Sequence, residues 1–263
     1  MDNKVPCIPC ESTHTHTHGD LLQVLNSIKG YWEIIDNDYI IINADCSNIL
    51  SSLIDVSNNP IIVTDPPFNI GYHYKTYKDK LNEEVYLEGL CKILSQAPNV
   101  VVHYPTSLYK IAIKLNKAPQ RVLSWVYNSN TSKQHRDIAF FDITPKMDQV
   151  RQPYKNPNDK RIKERIARGL KGAKLYDWFE INQVKNISKE KTGHPCQMPI
   201  EVMKRVIGIL PYDSTIIDTY MGSGTTGVAV KIMNEEQHAK RKFIGIEIDK
   251  DYYDISRDRL ELK

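Results

Sequence analysis

Short apolar runs rich in β-branched residues recur along this chain, and each ends at or beside an acid or a histidine. The run Tyr39-Ile40-Ile41-Ile42-Asn43 leads to Asp45, and Pro60-Ile61-Ile62-Val63-Thr64 leads to Asp65. Asn99 to Val102 ends at His103, Ser214 to Ile217 at Asp218, and Phe243 to Ile246 at Glu247. None of these runs alternates strictly between apolar and polar residues, so each reads as a strand buried on both faces. Further strands are expected over Arg121 to Tyr127 and Ile138 to Ile143. Helical spacing separates the strands at 49–54, 83–97, 200–210, 225–233 and 252–262. Strands alternating with helices predict an α/β fold with a doubly wound, mostly parallel sheet. Ligands in such sheets sit beyond the carboxyl ends of the strands. Asp45, Asp65, His103, Asp218 and Glu247 are therefore expected around one site.

The segment from Ile216 to Thr226 reads strand, glycine turn, helix: Ile216-Ile217-Asp218-Thr219-Tyr220-Met221-Gly222-Ser223-Gly224-Thr225-Thr226. Gly222 and Gly224 permit a tight turn and a close backbone approach to a ligand. Glu247 ends the following strand, roughly 20 residues further on, where an acid can bind ribose hydroxyls. This spacing suits a dinucleotide as well as any other nucleoside-bearing cofactor.

Asp65-Pro66-Pro67-Phe68-Asn69 follows a buried strand. Two prolines fix the backbone and remove two N–H donors. Alone this is compatible with an ordinary rigid turn. It also suits attack by an amino group conjugated to an aromatic base, whose lone pair is delocalised. Hydrogen bonds from the NH2 to the Asp65 carboxylate and the Pro66 carbonyl localise that pair, while a ring such as Phe68 stacks on an extruded base.

Taken together these segments resemble the β-class DNA amino-methyltransferases of the N6-adenine/N4-cytosine family. Asp65-Pro66-Pro67-Phe68 resembles the family's catalytic motif, and Asp218 to Thr226 its cofactor loop. Gly245-Ile246-Glu247-Ile248-Asp249 resembles its ribose-binding strand. His194-Pro195-Cys196-Gln197-Met198-Pro199 resembles its H-P-x-Q-K-P segment. The catalytic turn precedes the glycine loop, the circularly permuted order of the β class. The resemblance covers about residues 39–262. It implies a Rossmann-like methyltransferase fold with an inserted target-recognition region, S-adenosylmethionine as cofactor and double-stranded DNA as partner. An Asp-first catalytic motif implies transfer to adenine N6. Cytosine N4 in DNA, or an amino group of RNA or protein, is the alternative. Carried over by residue, Asp65, Pro66, Pro67 and Phe68 are catalytic. Asp45 and Cys46 meet the cofactor adenine, and Glu247 with Ile248 the ribose. Gly222, Ser223, Gly224, Thr225 and Thr226 face the cofactor, and Asp218 supports their loop. His194, Gln197 and Pro199 shape the methionine side, with Asp65 also bordering the cofactor. Met198 stands where the family has Lys, and Thr219-Tyr220 where it has Pro-Phe.

Between Arg151 and Lys174 nine Lys/Arg face two acids, although the whole chain is only +3. A basic segment on an acidic body marks a localised polyanion contact, or a solvated helix face. Within a helix expected over 159–169, Ile162, Ile166 and Leu170 form one anchoring face. Lys160, Arg161, Lys163, Arg165 and Arg168 cover the others and suit DNA phosphates. Tyr74-Lys75-Thr76-Tyr77-Lys78 interleaves aromatic and basic residues and can close over an extruded base, or form a plain surface loop.

The expected organisation is an N-terminal extension over 1–35, a catalytic half over 36–144, a target-recognition insertion over 145–192 and a cofactor-binding half over 193–263. Five scattered cysteines fit a reducing cytoplasm. No apolar run is long enough to span a bilayer, and no secretory leader is apparent. Cys7, Cys10, His14, His16 and His18 are of types that zinc accepts, but alternating Thr-His is not a ligand pattern, so no metal is assigned. The resemblance leaves room for a homodimer that no residue pattern selects.

Overall fold

The computed structural model describes residues 18–36, 38–170 and 172–261. In chain order its elements begin with α1 (His18–Ser27), β1 (Tyr31–Asp36), β2 (Tyr39–Asn43), a 3-10 turn (Cys46–Asn48), α2 (Leu50–Asp55), β3 (Pro60–Thr64) and α3 (Glu83–Leu94). There follow β4 (Asn99–His103), α4 (Pro105–Leu115), β5 (Arg121–Val126), β6 (His135–Phe141), β7 (Arg151–Gln152), α5 (Lys160–Ala167), β8 (Ala173–Lys174) and β9 (Trp178–Glu180). The chain closes with α6 (Ile200–Ile207), β10 (Thr215–Asp218), α7 (Thr225–Gln237), β11 (Lys242–Glu247) and α8 (Lys250–Glu261).

Nine strands form one sheet in the order β1-β2-β11-β10-β3-β4-β6-β5-β9. The centre, from β2 to β4, is parallel throughout. Successive residues of these strands feed opposite cores. Ile41, Ile61, Val63, Val100, Val102, Ile216 and Phe243 join Val202, Val206, Val230 and Tyr253 on the α6–α8 side. Ile40, Ile42, Ile62, Val101, Ile217 and Ile244 join Leu25, Leu53, Leu90 and Ile111 on the α1–α4 side. Burial on both faces is the reason the strands read as continuous apolar runs.

The topology brings distant segments together. Strands β10 and β11 insert between β2 and β3, with Glu247 in register with Asn43 and Ile217 with Ile62. Asp65, Asp218 and Glu247 thereby stand at one carboxyl edge. The sheet's remaining pairings are mixed: β1 is antiparallel to β2, and β6 is antiparallel to both β4 and β5.

Two expected boundaries move. Residues 31–36 belong to the sheet as an edge strand on β2, and Leu25 of α1 is fully buried, so much of the segment read as an extension is part of the domain. The expected insertion over 145–192 is also partly body. Leu175 and Phe179 are in the core, and β9 pairs in parallel with β5. What projects is the hairpin of β7 and β8, whose tip carries α5. The apolar face expected on this helix is anchored only at Ile162, which is half-buried, while Ile166 is 48% and Leu170 47% exposed. Cys7, Cys10, His14, His16 and the side chain of His18, weighed as zinc ligands, lie outside the described residues. Among the described residues no helix is long and apolar enough to cross a membrane, and no cluster of three or more His, Cys, Asp or Glu stands ready for a metal.

Candidate active site

A cavity of about 340 Å³ opens at the carboxyl edge of the parallel strands. Its size falls in the range that holds small-molecule ligands. Asp65, Pro66, Pro67 and Phe68 form one wall; Asp45, Cys46, Glu247 and Ile248 another; His194, Gly222, Ser223, Thr225 and Thr226 a third.

The Asp-Pro-Pro-Phe turn is braced from behind. The His103 ring, from the end of β4, stacks on Phe68 at 4.4 Å, and Tyr104 meets the same ring edge-on at 5.0 Å. The His103 Nδ1 accepts the Tyr104 backbone N–H at 2.8 Å, so Nε2 carries the proton and donates it to the Tyr86 hydroxyl at 2.9 Å. That hydroxyl in turn donates to the Pro67 carbonyl at 2.7 Å. Burial, aided by Arg136 and Lys133, lowers the His103 pKa to about 3, which keeps the ring neutral and the relay intact. His103 is a brace behind the aromatic wall, and it does not border the cavity.

Asp65 carries the opposite shift. Burial raises its pKa to about 6 against the pull of Arg136, whose Nη1 lies 3.7 Å from its Oδ2. Its Oδ1 is buried and has no protein partner. Neither Arg136 nor Asp79 was singled out from the sequence. Asp79, 2% exposed, accepts the backbone N–H groups of Asn69, Ile70 and Tyr72 at 2.7, 3.2 and 2.9 Å. It thereby shapes the loop after the catalytic turn, in which Asn69 adopts a left-handed φ of 56°. An acid beside a positive-φ Asn gives no periodic signal.

On the cofactor side the loop is built from carboxylates. Asp218 accepts the Tyr220 N–H at 3.1 Å and the Thr226 hydroxyl at 2.5 Å, and burial raises its pKa to about 7. Glu247 accepts Gly222 N–H at 2.8 Å through Oε2 and Asp249 N–H at 2.8 Å through Oε1. Glu247 also lines the cavity. Asp45 caps the 3-10 turn through Ser47, and the buried Cys46 thiol is pushed up to about 12, so its S–H stays protonated.

The two glycines serve different neighbours. A side chain at Gly222, where φ is +54°, would fall 3.0 Å from the His194 ring. Gly224, at φ +75°, is packed on Ser256 of α8 and does not border the cavity, contrary to the expectation that it faces the cofactor. Its missing side chain lets α8 approach the loop. Gln197 borders the cavity, but its amide is committed: Oε1 accepts Thr192 N–H and hydroxyl at 2.7 and 2.9 Å, and Nε2 donates to Glu190 at 2.6 Å. It braces the segment rather than presenting a free group. Pro199 lies off the cavity and occupies the N-cap of α6 instead of its first turn. His194 does face inward, with its ring against Tyr252 at 4.4 Å, its Nδ1 buried without a partner and its pKa lowered by burial to about 4.

Tyr72, Tyr74, Thr76 and Tyr77 form a strap along the cavity. Thr76 donates to Asp249 at 2.5 Å and Lys75 pairs with Asp251 at 2.5 Å. The strap thus joins the base wall to the end of β11 instead of standing clear as a plain surface loop. Lys160, Arg161, Lys163, Arg165 and Arg168 are all exposed on the distant hairpin, with Arg161 at 3.9 Å from Asp159.

The chain is similar to known proteins in sequence and in fold. The chain is 29% identical over 242 residues to the type II methyltransferase M.HpaI of Haemophilus parainfluenzae, which covers 82% of this chain and 73% of that one. It is 28% identical over 268 residues to M.ScaI of Streptomyces caespitosus, covering 89% and 84%. The crystal structure of M1.HpyAVI superposes with a TM-score of 0.53 at 20% identity, over 85% of this chain and 98% of that one. A complex of M1.HpyAVI with S-adenosylmethionine gives 0.51 at 23% identity, over 84% and 98%. The sequence profile of the N6/N4 amino-methyltransferases, described as DNA methylase, matches residues 103–258. With the profile spanning more than half its length, the chain belongs to the N6-adenine/N4-cytosine family of DNA amino-methyltransferases.

Proposed function

We propose that this chain methylates adenine N6 in double-stranded DNA, with S-adenosylmethionine as the methyl donor. The observation that carries the reading is the buried, unpartnered Oδ1 of Asp65 beside a rigid proline turn and an aromatic ring. The cavity suits the cofactor by its donor set. The Glu247 carboxylate is placed for ribose hydroxyls, the N–H of Cys46 and the carboxylate of Asp45 for an adenine edge, and His194 Nδ1 for a polar group of the methionine part. When bound, S-adenosylmethionine would supply an electrophilic methyl group, its sulfonium taking back the C–S electron pair and leaving as a neutral thioether.

The protein's own groups do the rest. The target base, out of its stack, lies against Phe68, which His103 and Tyr104 hold in place. Tyr86 occupies the Pro67 carbonyl, leaving that of Pro66 for one amine hydrogen. Asp65 accepts the other. Both bonds draw the nitrogen lone pair out of conjugation with the ring. As the new N–C bond forms, the nitrogen sheds one proton, and a carboxylate with a pKa of about 6 is matched to receive it near neutrality. The Asp-first motif favours adenine over cytosine. The projecting basic hairpin within residues 145–192 supplies phosphate contacts through Lys160, Arg161, Lys163, Arg165 and Arg168 and serves target recognition.

Incubating the protein with unmethylated genomic DNA and S-adenosylmethionine, followed by nucleoside mass spectrometry, tests this. N6-methyladenine is the expected product. N4-methylcytosine would keep the chemistry and overturn the base, and no methylated nucleoside from folded, cofactor-binding protein would overturn the substrate.

A further inference from the structure

Arg136 lies on β6, outside every motif that marks the site. Its side chain is only 15% exposed, yet it borders the same cavity as Asp65 and Phe68. Aromatic rings surround its guanidinium, with Phe68 at 4.7 Å, Trp125 at 5.2 Å, Tyr127 at 5.9 Å and Tyr104 at 6.0 Å. Trp125 is itself pinned, its Nε1 donating to the Ile181 carbonyl at 2.7 Å. Such a box fixes a planar cation far better than a flexible ammonium.

The guanidinium is not spent on Asp65. At 3.7 Å the pair attracts electrostatically but is too long for a hydrogen bond. Each residue of this pair also carries a buried atom without a hydrogen-bond partner, the acceptor Asp65 Oδ1 and the donor Arg136 Nε. Buried polar atoms are left unpaired at a cost, and a neighbouring pair at a ligand cavity points to a ligand that completes both. Its edge must offer a donor next to an acceptor. Adenine does so with its N6 amine flanked by N1 and N7, and cytosine with its N4 amine beside N3. Thymine, with a carbonyl beside an N–H, presents the reverse.

We propose that Arg136 is a base-recognition residue, donating from its guanidinium to the ring nitrogen beside the amine that Asp65 holds. The proposal rests on Asp65 being the amine-holding carboxylate. It adds a contact to the ring nitrogen beside the two amine contacts that Asp65 and the Pro66 carbonyl supply. It also sets a second role, since the positive charge opposes the burial that raises the Asp65 pKa.

The test uses duplexes carrying the target site, mapped from methylated genomic DNA, with adenine, 1-deazaadenine or 7-deazaadenine at the methylated position. Each deaza base keeps the amine and removes one flanking acceptor. For the wild type, kcat/KM should fall roughly tenfold to a hundredfold for one of the two analogues, the loss of a hydrogen bond to a charged donor. Arg136→Met should be slower on adenine and indifferent to that analogue, and its acid limb should move to higher pH than the wild type's. Arg136→Lys should keep the wild-type acid limb while losing most of the discrimination. Cofactor affinity by calorimetry should stay unchanged in both, and if the Met variant fails to fold, the Lys variant and the wild type carry the comparison. Equal turnover of both analogues by the wild type, or an equal penalty in wild type and variants, overturns the proposal and leaves amino-methylation standing. Absence of methyl transfer to any DNA overturns both.

Discussion

The cleft and the basic hairpin of this molecule are built on opposite terms. In the cleft nearly every carboxylate is assigned: Asp79 to three backbone N–H groups, Glu247 to two, Asp218 to a hydroxyl and an N–H. On α5 no side chain is buried, and four exposed cations stand on the helix with a fifth, Arg168, at its C-cap. Chemistry at an amine nitrogen demands placement to a fraction of an ångström, which buried networks supply. Phosphate contacts demand charge and reach, which an exposed hairpin supplies without a core of its own.

That contrast can be broken at its centre. Asp65→Ala removes the carboxylate proposed to hold the amine, and methyl transfer should fall by about 10³-fold or more while cofactor affinity holds within about twofold. Single-turnover rates and calorimetry check the two halves, and turnover near wild type would sink the assigned role. On the hairpin, Lys163→Glu with Arg165→Glu should weaken DNA binding without changing the melting temperature. The slope of log affinity against log salt should fall by about two, roughly one per phosphate contact. An altered melting temperature or an unchanged slope would erase the proposed division of labour.

Two finer tests sharpen the cleft side. In the proposed role Asp65 works as a carboxylate, and burial raises its pKa to about 6. Activity should therefore be full above that value and fall about tenfold per pH unit below it, and a pH profile of kcat/KM flat down to pH 4 would contradict this. The smallest effect is expected from Tyr86→Phe, which strips the Pro67 carbonyl of its donor and the His103 Nε2–H of its acceptor. A loss of about 1–3 kcal/mol in unfolding free energy with a several-fold lower kcat should appear in denaturant titration and steady-state kinetics.

Much of this was readable along the chain. The strands could be placed because burial on both faces leaves a continuous apolar run, and the ends of those runs gave Asp65, Asp218 and Glu247. Gly222 was assigned to the cofactor loop and borders the cavity; Gly224 was assigned there too, but its neighbour is Ser256, a contact between residues 224 and 256 that periodicity does not encode. The apolar stripe Ile162, Ile166 and Leu170 promised an anchored helix, yet Ile166 and Leu170 stay exposed. Gln197, expected on the methionine side, borders the cavity with its amide already bonded to Glu190 and Thr192, partners that a linear pattern does not disclose.

By itself the sequence determined the class of fold, the edge on which the site lies and the family to which the chain belongs, because these depend on local patterns of burial, turn chemistry and short motifs. Tertiary structure decided which polar groups are spent on the protein and which remain for a ligand. Asp79 and Gln197 are consumed, while Asp65 Oδ1 and Arg136 Nε are left open. The physical reason is that a hydrogen bond is satisfied or orphaned by distances of a few tenths of an ångström between segments far apart in sequence, and only the packed sheet sets those distances.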